Sequence, residues 1–174
     1  MCLVLDTNVF GAVFEPTNAQ HNDFLPVLKW VVRGKRKLVY GGTKYKNEMR
    51  KSGKYIRFFA ALQRAGKIVV LNESNINKKE NELQKCEPIN KFNDAHLVAI
   101  VLESECRIVC TNDKRALPYL KRTAFYSAEG ARKPKIYQSR RNASLLTDEN
   151  IAAICRPCKK LSKEQAASLE IFKN

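Results

Sequence analysis

The sequence predicts an α/β protein whose central parallel sheet is covered by helices on both faces, an α/β/α sandwich. Short apolar runs alternate with stretches of helical periodicity, which is the pattern of repeated strand–helix–strand units. The first run, residues 1–5, carries no charge, as expected of a strand buried on both faces. Asp6 follows this run directly, at the end of the strand where open α/β sheets bind their ligands.

Hydrophobic periodicity and chain-breaking residues divide the chain into elements. The spacing of Phe24, Leu28 and Val31 is typical of an amphipathic helix, and Gly34 ends it. The predicted strands are residues 1–5, 38–40, 67–71 and 107–110. The predicted helices are residues 9–14, 23–33, 55–65, 90–105 and 114–121, with a stretch over 74–86 that is either helical or loose.

One further helix follows the second strand. Gly41-Gly42 closes that strand, and Thr43 is predicted to cap a helix that carries Glu48 in its opening turns. In parallel strands, this position lies at the same edge of the sheet as Asp6. Glu48 is therefore expected to face Asp6.

The character of the sequence changes near residue 130. A length of 174 residues allows one ordinary domain with a short appendage. We assign residues 1–130 to the α/β domain and residues 131–174 to a basic C-terminal extension that packs on the same domain or stays apart. Basic residues with few acids predict a loop or basic arm over 132–142, followed by short helices over 148–154 and 162–172. Ser162 and Gln165 fit a capping box.

The charge balance is strongly basic. Thirty-two Lys and Arg residues against 17 Asp and Glu residues give a formal net charge of +15. Such an excess indicates a polyanionic partner, with nucleic acid as the first candidate. The alternative is a solvated surface that only keeps the protein soluble.

The cysteines and the apolar runs bear on location. Cys2, Cys106 and Cys110 lie in or beside apolar runs and are interpreted as small core residues. The pair Cys155 and Cys158 is only a weak zinc half-site, because no second pair lies at zinc-site spacing. Six thiols without a signal-peptide pattern predict a cytoplasmic protein. No apolar run reaches the roughly 18 residues of a membrane span, so no membrane partner is expected.

Four acids are the candidate catalytic residues. Asp6 and Asp113 directly follow strands, and Glu48 and Asp94 lie in the opening turns of helices. A parallel sheet brings such positions to one edge, where the carboxylates repel one another unless a cation holds them. Mg²⁺ and Mn²⁺ prefer such oxygen ligands. The alternatives are helix caps for Asp6 and Asp113, a favourable interaction with the helix dipole for Asp94, and a solvated surface charge for Glu48.

These residues resemble the PIN-domain family of metal-dependent nucleases. The resemblance rests on Asp6-Thr7-Asn8 after the first strand, on Glu48, on Asn93-Asp94-Ala95 and on Thr111-Asn112-Asp113, and it covers residues 2–125. It implies a central parallel sheet, hydrolysis of phosphodiester bonds, usually of RNA, and frequent homodimers. It also implies an acidic cluster of Asp6, Glu48, Asp94 and Asp113, supported by Asn8 and Thr111. Many bacterial members are toxins held by an antitoxin, and others process RNA or serve defence.

The sequence therefore predicts an endoribonuclease that uses one or two Mg²⁺ or Mn²⁺ ions. The number stays open because Arg115 stands where some family members keep another acid. His96 is interpreted as a packed residue rather than a ligand. The residues predicted to hold the phosphates of nucleic acid are Lys44, Lys46, Arg50, Lys54, Lys114 and Arg115. The alternative function is a non-catalytic RNA-binding or partner-binding module on the same fold.

Overall fold

A parallel sheet of five strands forms the centre of the part of the chain that the structure describes. The structure is a computed structural model, and it describes residues 2–86, 92–127, 129–150 and 152–170. The strands are β1 (Cys2–Leu5), β2 (Lys37–Tyr40), β3 (Ile68–Val70), β4 (Ile108–Cys110) and β5 (Lys135–Tyr137). Their order is β3-β2-β1-β4-β5, and every neighbouring pair is parallel. The predicted α/β class is confirmed.

Helices connect the strands and cover the sheet. They are α1 (Phe10–Phe14), α2 (His21–Val32), α3 (Thr43–Lys51), α4 (Ile56–Arg64), α5 (Glu73–Lys85), α6 (Ala95–Ser104), α7 (Leu117–Leu120), α8 (Thr123–Ser127) and α9 (Lys163–Glu170). Short 3₁₀ helices occupy Thr7–Val9, Gly53–Tyr55, Arg140–Leu145, Asp148–Asn150 and Ala153–Cys155. None of the helices in these described segments has the length and apolar character needed to cross a membrane.

The strand order divides the helices between the two faces. From β1 the chain proceeds outward through β2 to β3, and it then returns to the other side of β1 through β4 and β5. Because crossovers between parallel strands are right-handed, α1–α4 lie on one face and α5–α8 on the other. Ring contacts of Phe10 with Tyr45 and Phe59 join α1, α3 and α4 on their shared face.

The turn after β2 sets the direction of α3. Gly42, rather than Thr43, occupies the capping position, and Thr43 is the first residue of the helix. Gly42 has a φ of 82°, in the left-handed region, and a Cβ atom there would lie 2.5 Å from Cγ2 of Ile76. Only glycine fits this position without strain. The tight turn starts α3 at the carboxyl edge of the sheet.

The prediction of a loop or basic arm over residues 132–142 is wrong for Lys135–Tyr137. These residues form β5, so the sheet continues past residue 130 into the C-terminal extension. Tyr137 is fully buried, and its hydroxyl donates a hydrogen bond of 2.9 Å to the Asp23 carbonyl. A run of three residues flanked by Lys and Pro carries too little periodicity to be recognised as a strand.

Two helices differ from their predicted bounds. The helix expected over 90–105 begins at Ala95, and Asn90 lies outside the described residues. The helix expected over 114–121 is only the four-residue α7, followed by a separate short helix, α8. Pro118 is tolerated in the first turn of α7.

The C-terminal extension is attached to the sheet by covalent and polar contacts. Cys155 forms a disulfide with Cys2 of β1, so two of the six cysteines predicted to be thiols are bonded to each other. Cys2 lies in the buried core, as predicted. The Trp30 indole donates a hydrogen bond of 2.9 Å to the Leu146 carbonyl. The predicted capping box is confirmed, because Ser162 and Gln165 exchange hydrogen bonds of 3.0 and 3.1 Å.

Candidate functional site

The candidate site lies where the strand order reverses. The connections that leave β1 and β4 go to opposite faces of the sheet, which opens a crevice at the carboxyl ends of these neighbouring strands. Asp6 directly follows β1, and Thr111 and Asp113 follow β4. The Asp6 amide donates a hydrogen bond of 2.9 Å to the Cys110 carbonyl, which fixes the two strand ends against each other.

Asp6 is a buried carboxylate held by its polar neighbours. Asp6 is only 4% exposed to solvent. Oδ2 accepts hydrogen bonds from Thr111 Oγ1 at 2.6 Å and from Asn8 Nδ2 at 2.9 Å, and Oδ1 accepts one from the Asn8 amide. Burial raises the pKa of Asp6 to about 6, because the hydrogen bonds offset only part of the cost of removing charge from water. The Asp94 charge acts in the same direction as burial.

Asn8 and Thr111 connect Asp6 to the second strand end. Thr111 is fully buried, and its Oγ1 accepts a hydrogen bond of 3.0 Å from the Asp113 amide. Asn8 Nδ2 lies 3.3 Å from the same hydroxyl oxygen. The two predicted supporting residues therefore contact Asp6 directly and orient its carboxylate. Asp6 also caps the 3₁₀ helix Thr7–Val9, so the capping role and a role in the site coexist.

Asp113 forms an ion pair with Arg115. Arg115 approaches it with two side-chain hydrogen bonds, from Nε to Oδ1 at 3.1 Å and from Nη2 to Oδ2 at 2.8 Å. This bidentate contact with Arg115 lowers the pKa of Asp113. The Arg115 side chain is 85% exposed, so the pair is in contact with solvent and open to exchange of partners.

Glu48 projects from α3 toward the same crevice. Thr7 Oγ1 donates a hydrogen bond of 2.9 Å to its Oε2, and His96 Nε2 lies 3.5 Å from the same oxygen. Burial acts to raise the pKa of Glu48, but the interactions with His96 and Thr7 outweigh it and the pKa is lowered. Glu48 is therefore an anion that faces the Asp6 loop.

Asp94 precedes α6 without capping it. It occupies the N-cap position, but its side chain makes no capping hydrogen bond. Burial raises its pKa, and the charges of Asp113 and Glu48 act in the same direction. His96 and Lys44 act in the opposite direction. The electrostatic coupling of Asp94 to these residues places it within the acidic group.

His96 is interpreted from the sequence as a packed residue, and Glu80 is not singled out, but both are buried close to the acids. His96 is 1% exposed, and neither of its ring nitrogens has a hydrogen-bond partner. Glu80 lies buried on α5, where burial raises its pKa and the His96, Lys44 and Glu48 charges influence it. Only the i, i+2 spacing of His96 from Asp94 gave a signal in the sequence, and that spacing does not show which way the ring points.

The basic residues predicted to bind nucleic acid surround the acids in different settings. Lys44 donates a hydrogen bond to the Asn93 carbonyl, beside Asp94. Two others are paired with acids outside the predicted set. These are Lys46, which forms an ion pair with Glu73, and Lys54, which forms one with Glu15. Arg50 contacts Asn47, and Arg115 pairs with Asp113. Lys114 is exposed. Nucleic-acid binding by this set stays a prediction.

The acids form an extended group rather than a closed cage. Among the described residues, the one set of three ligand-type side chains whose donor atoms all lie within 4.8 Å of one another is Cys2, Cys106 and Cys155, at the opposite edge of the sheet. Two of those thiols are joined in the disulfide, and burial raises the pKa of the third, Cys106, to about 12. That set is thus poorly suited to metal binding.

The acidic group fits a hydrated divalent cation. Mg²⁺ usually takes one or two carboxylates directly and keeps several waters, so a closed cage of protein ligands is not required. Burial raises the pKa of Asp6 and of Asp94, so both carboxylates are less stable as anions than they would be in water. A cation at this edge would stabilise their anionic forms.

Comparisons with known proteins complete the description of the site. Protein-family models, curated proteins and solved structures gave no match to this chain. The assignment of a function therefore depends on the chemistry of the site itself.

Proposed function

We infer that this protein is a divalent-metal-dependent endoribonuclease that hydrolyses RNA phosphodiester bonds. The observation that carries the proposal is the buried Asp6 carboxylate, whose pKa is raised to about 6 and whose charge is coupled to that of Asp94. Titratable groups with strongly perturbed pKa values in a crevice are typical of functional sites. The crevice also lies at the switch point of the sheet, where α/β proteins bind ligands.

Four acids would hold the cation: Asp6, Glu48, Asp94 and Asp113. A bound Mg²⁺ or Mn²⁺ activates water for attack on a phosphodiester and stabilises the leaving oxygen. Thr111 and Asn8 fix the orientation of the Asp6 carboxylate through their hydrogen bonds. The exposed Arg115 guanidinium can exchange Asp113 for a phosphate oxygen, because Arg binds either group through two parallel hydrogen bonds.

The substrate class follows from charge. A net charge of +15 attracts the phosphate backbone of a nucleic acid and speeds encounter. Lys44 lies within the acidic group, where it lowers the pKa of both Glu48 and Asp94. It is positioned to bind phosphate beside the acids. RNA rather than DNA is proposed from the resemblance to PIN-domain nucleases, with which the parallel α/β/α sheet agrees.

The same resemblance suggests a context for the activity. A role as a toxin restrained by an antitoxin, or in defence, belongs to this proposal, as do a cytoplasmic location and a homodimer. Antitoxin binding would shield the exposed basic residues around the crevice from RNA.

The test is cleavage of labelled RNA by the purified protein with EDTA, Mg²⁺ or Mn²⁺. Asp6→Asn and Asp94→Asn are expected to lower cleavage by at least 100-fold, because each removes a charge that holds the cation. Asp23→Asn is the matched control, since Asp23 is exposed and its acceptor for the Arg140 amide survives as the asparagine oxygen. Full activity of both folded site variants would overturn the proposal.

A non-catalytic RNA-binding module is the second candidate. The ion pair between Asp113 and Arg115 favours it, because this pair neutralises one acid of the group. RNA retained without cleavage in both cations, with equal affinity for Asp6→Asn and the wild type, would support this function instead.

A further inference from the structure

The orientation of His96 is the least explained feature of the acidic group. Its ring is 1% exposed, and both ring nitrogens are buried without a hydrogen-bond partner. A buried imidazole always has one nitrogen that donates and, when neutral, one that accepts. Leaving both unpaired carries a large desolvation penalty, so such groups require a partner that completes them.

The surroundings of the ring narrow the identity of that partner. The Tyr45 ring lies edge-on at 6.3 Å between centroids, and its hydroxyl is committed to the Leu5 carbonyl. Glu48 Oε2 lies 3.5 Å from Nε2, within the distance of an ion pair but without the geometry of a hydrogen bond. The charge of His96 acts to lower the pKa of both Asp6 and Asp94. Nε2 is therefore the ring nitrogen that faces the Glu48 carboxylate, close to the other two acids.

The separation of Nε2 from Glu48 Oε2 suits two ligands of one cation. With metal–nitrogen and metal–oxygen bonds of about 2.1 Å, neighbouring ligand atoms lie roughly 3.0 Å apart in an octahedron and 3.4 Å apart in a tetrahedron. The observed 3.5 Å is close to the tetrahedral value, is longer than the octahedral value, and is longer than a usual hydrogen bond. Thr7 Oγ1 donates to the same carboxylate oxygen and fixes its position.

We propose that His96 Nε2 and the Glu48 carboxylate bind one divalent transition-metal cation, so that the site prefers Mn²⁺ over Mg²⁺. This inference rests on the proposed nuclease function and adds a nitrogen ligand to its four acids. Mixed imidazole and carboxylate ligands suit transition metals, whereas Mg²⁺ prefers oxygen alone. The Nδ1 atom of a metal-bound histidine commonly donates a hydrogen bond to a carboxylate. Glu80 is the candidate for that role, because it is buried and the His96 charge acts to lower its pKa.

The chain offers an unusually clean spectroscopic test, because it contains only two histidines, His21 and His96. His21 lies on α2, with Nδ1 3.0 Å from the Ala12 carbonyl. In the His21→Asn variant, His96 is therefore the only imidazole. Electron spin-echo modulation of bound Mn²⁺ is expected to show a coordinated nitrogen in this variant, and labelling with ¹⁵N-histidine is expected to change its frequencies.

Cation affinity provides the second measurement. His96→Asn and His96→Gln are expected to weaken Mn²⁺ binding at least ~10-fold, by calorimetry, while Mg²⁺ binding changes less than ~3-fold. The His21→Asn variant is expected to keep the wild-type preference. The spectroscopic arm does not depend on a His96 variant, so it remains decisive if those variants do not fold.

The outcomes separate this inference from the nuclease function. Mn²⁺ bound at an Asp6-dependent site with oxygen ligands alone, together with RNA cleavage, would overturn the role of His96 and leave the nuclease in place. An equal loss of Mn²⁺ and Mg²⁺ affinity in His96→Asn would identify His96 as a structural support of the site rather than a ligand and would also overturn the proposal. Absence of any Mn²⁺ binding to the wild type would overturn both.

Discussion

Replacing Asp6 by Asn is expected to destabilise the protein in acid and to stabilise it at pH 8. The Asp6 carboxyl is 4% exposed, and burial raises its pKa from 3.8 to about 6. Because the folded pKa lies above the unfolded one, the native state binds the proton more tightly. The stability that Asp6 contributes as a neutral group is complete below pH 3.8 and is lost as the pH rises to about 6.

The size of this loss follows from the two pKa values. One pH unit corresponds to about 1.4 kcal/mol, so the interval from 3.8 to about 6 corresponds to about 3 kcal/mol. Asparagine never ionises and avoids that loss, but its amide cannot keep every acceptor contact to Asn8 and Thr111, at a cost of about 1 kcal/mol. Asp6→Asn is therefore expected to be less stable than the wild type by about 1 kcal/mol in acid and more stable by about 2 kcal/mol at pH 8.

Urea unfolding in EDTA at pH values from 3.5 to 8 measures this difference directly. The Asp23→Asn control is expected to change stability by less than Asp6→Asn over this range, because Asp23 is exposed. A pH-independent difference between Asp6→Asn and the wild type would refute the reasoning. Adding Mn²⁺ at pH 8 is expected to stabilise the wild type more than Asp6→Asn, since the cation binds the native anion.

Two further predictions concern the disulfide and the exposed ion pair. Cys155→Ala is expected to lower the free energy of unfolding by about 2–5 kcal/mol, because the disulfide closes a long loop, and Trp30 fluorescence during urea unfolding measures it. The Cys86→Ala control removes an exposed free thiol, and an equal stability for both variants would contradict this expectation. Arg115→Gln is expected to tighten Mn²⁺ binding several-fold by freeing Asp113, and to reduce the salt dependence of RNA binding by about one phosphate contact. Unchanged Mn²⁺ affinity, measured by calorimetry, would argue against a role for Asp113 in cation binding.

The strands nearest the site could be predicted because their residues combine two independent signals. Residues 2–5 are apolar and are directly followed by a polar cluster. The sequence therefore predicts both where β1 ends and that Asp6 lies at that end. The same reasoning located Asp113 after β4. Such local signals persist because burial on both faces of a parallel strand demands an unbroken apolar run.

The missed features depend on contacts between distant parts of the chain. Lys135–Tyr137 becomes a strand only because β4 offers it an edge to pair with, so its own three residues carry no pattern. The bond between Cys2 and Cys155 spans 153 positions, and no spacing rule connects them. The orientation of His96 depends on how α6 packs against the sheet, which periodicity does not specify.

The position of β1 between β2 and β4 has a consequence for the order of folding. During synthesis, β1 can pair with β2 after about 30 further residues, but its other edge stays unpaired until β4 is made, in which Val109 is the register partner of Val4. At roughly 5–20 residues per second, synthesis leaves that hydrophobic edge unpaired for several seconds. During this interval β1 can pair with foreign strands, and the four acids are still apart. The candidate site is therefore assembled only once the second half of the sheet has been made.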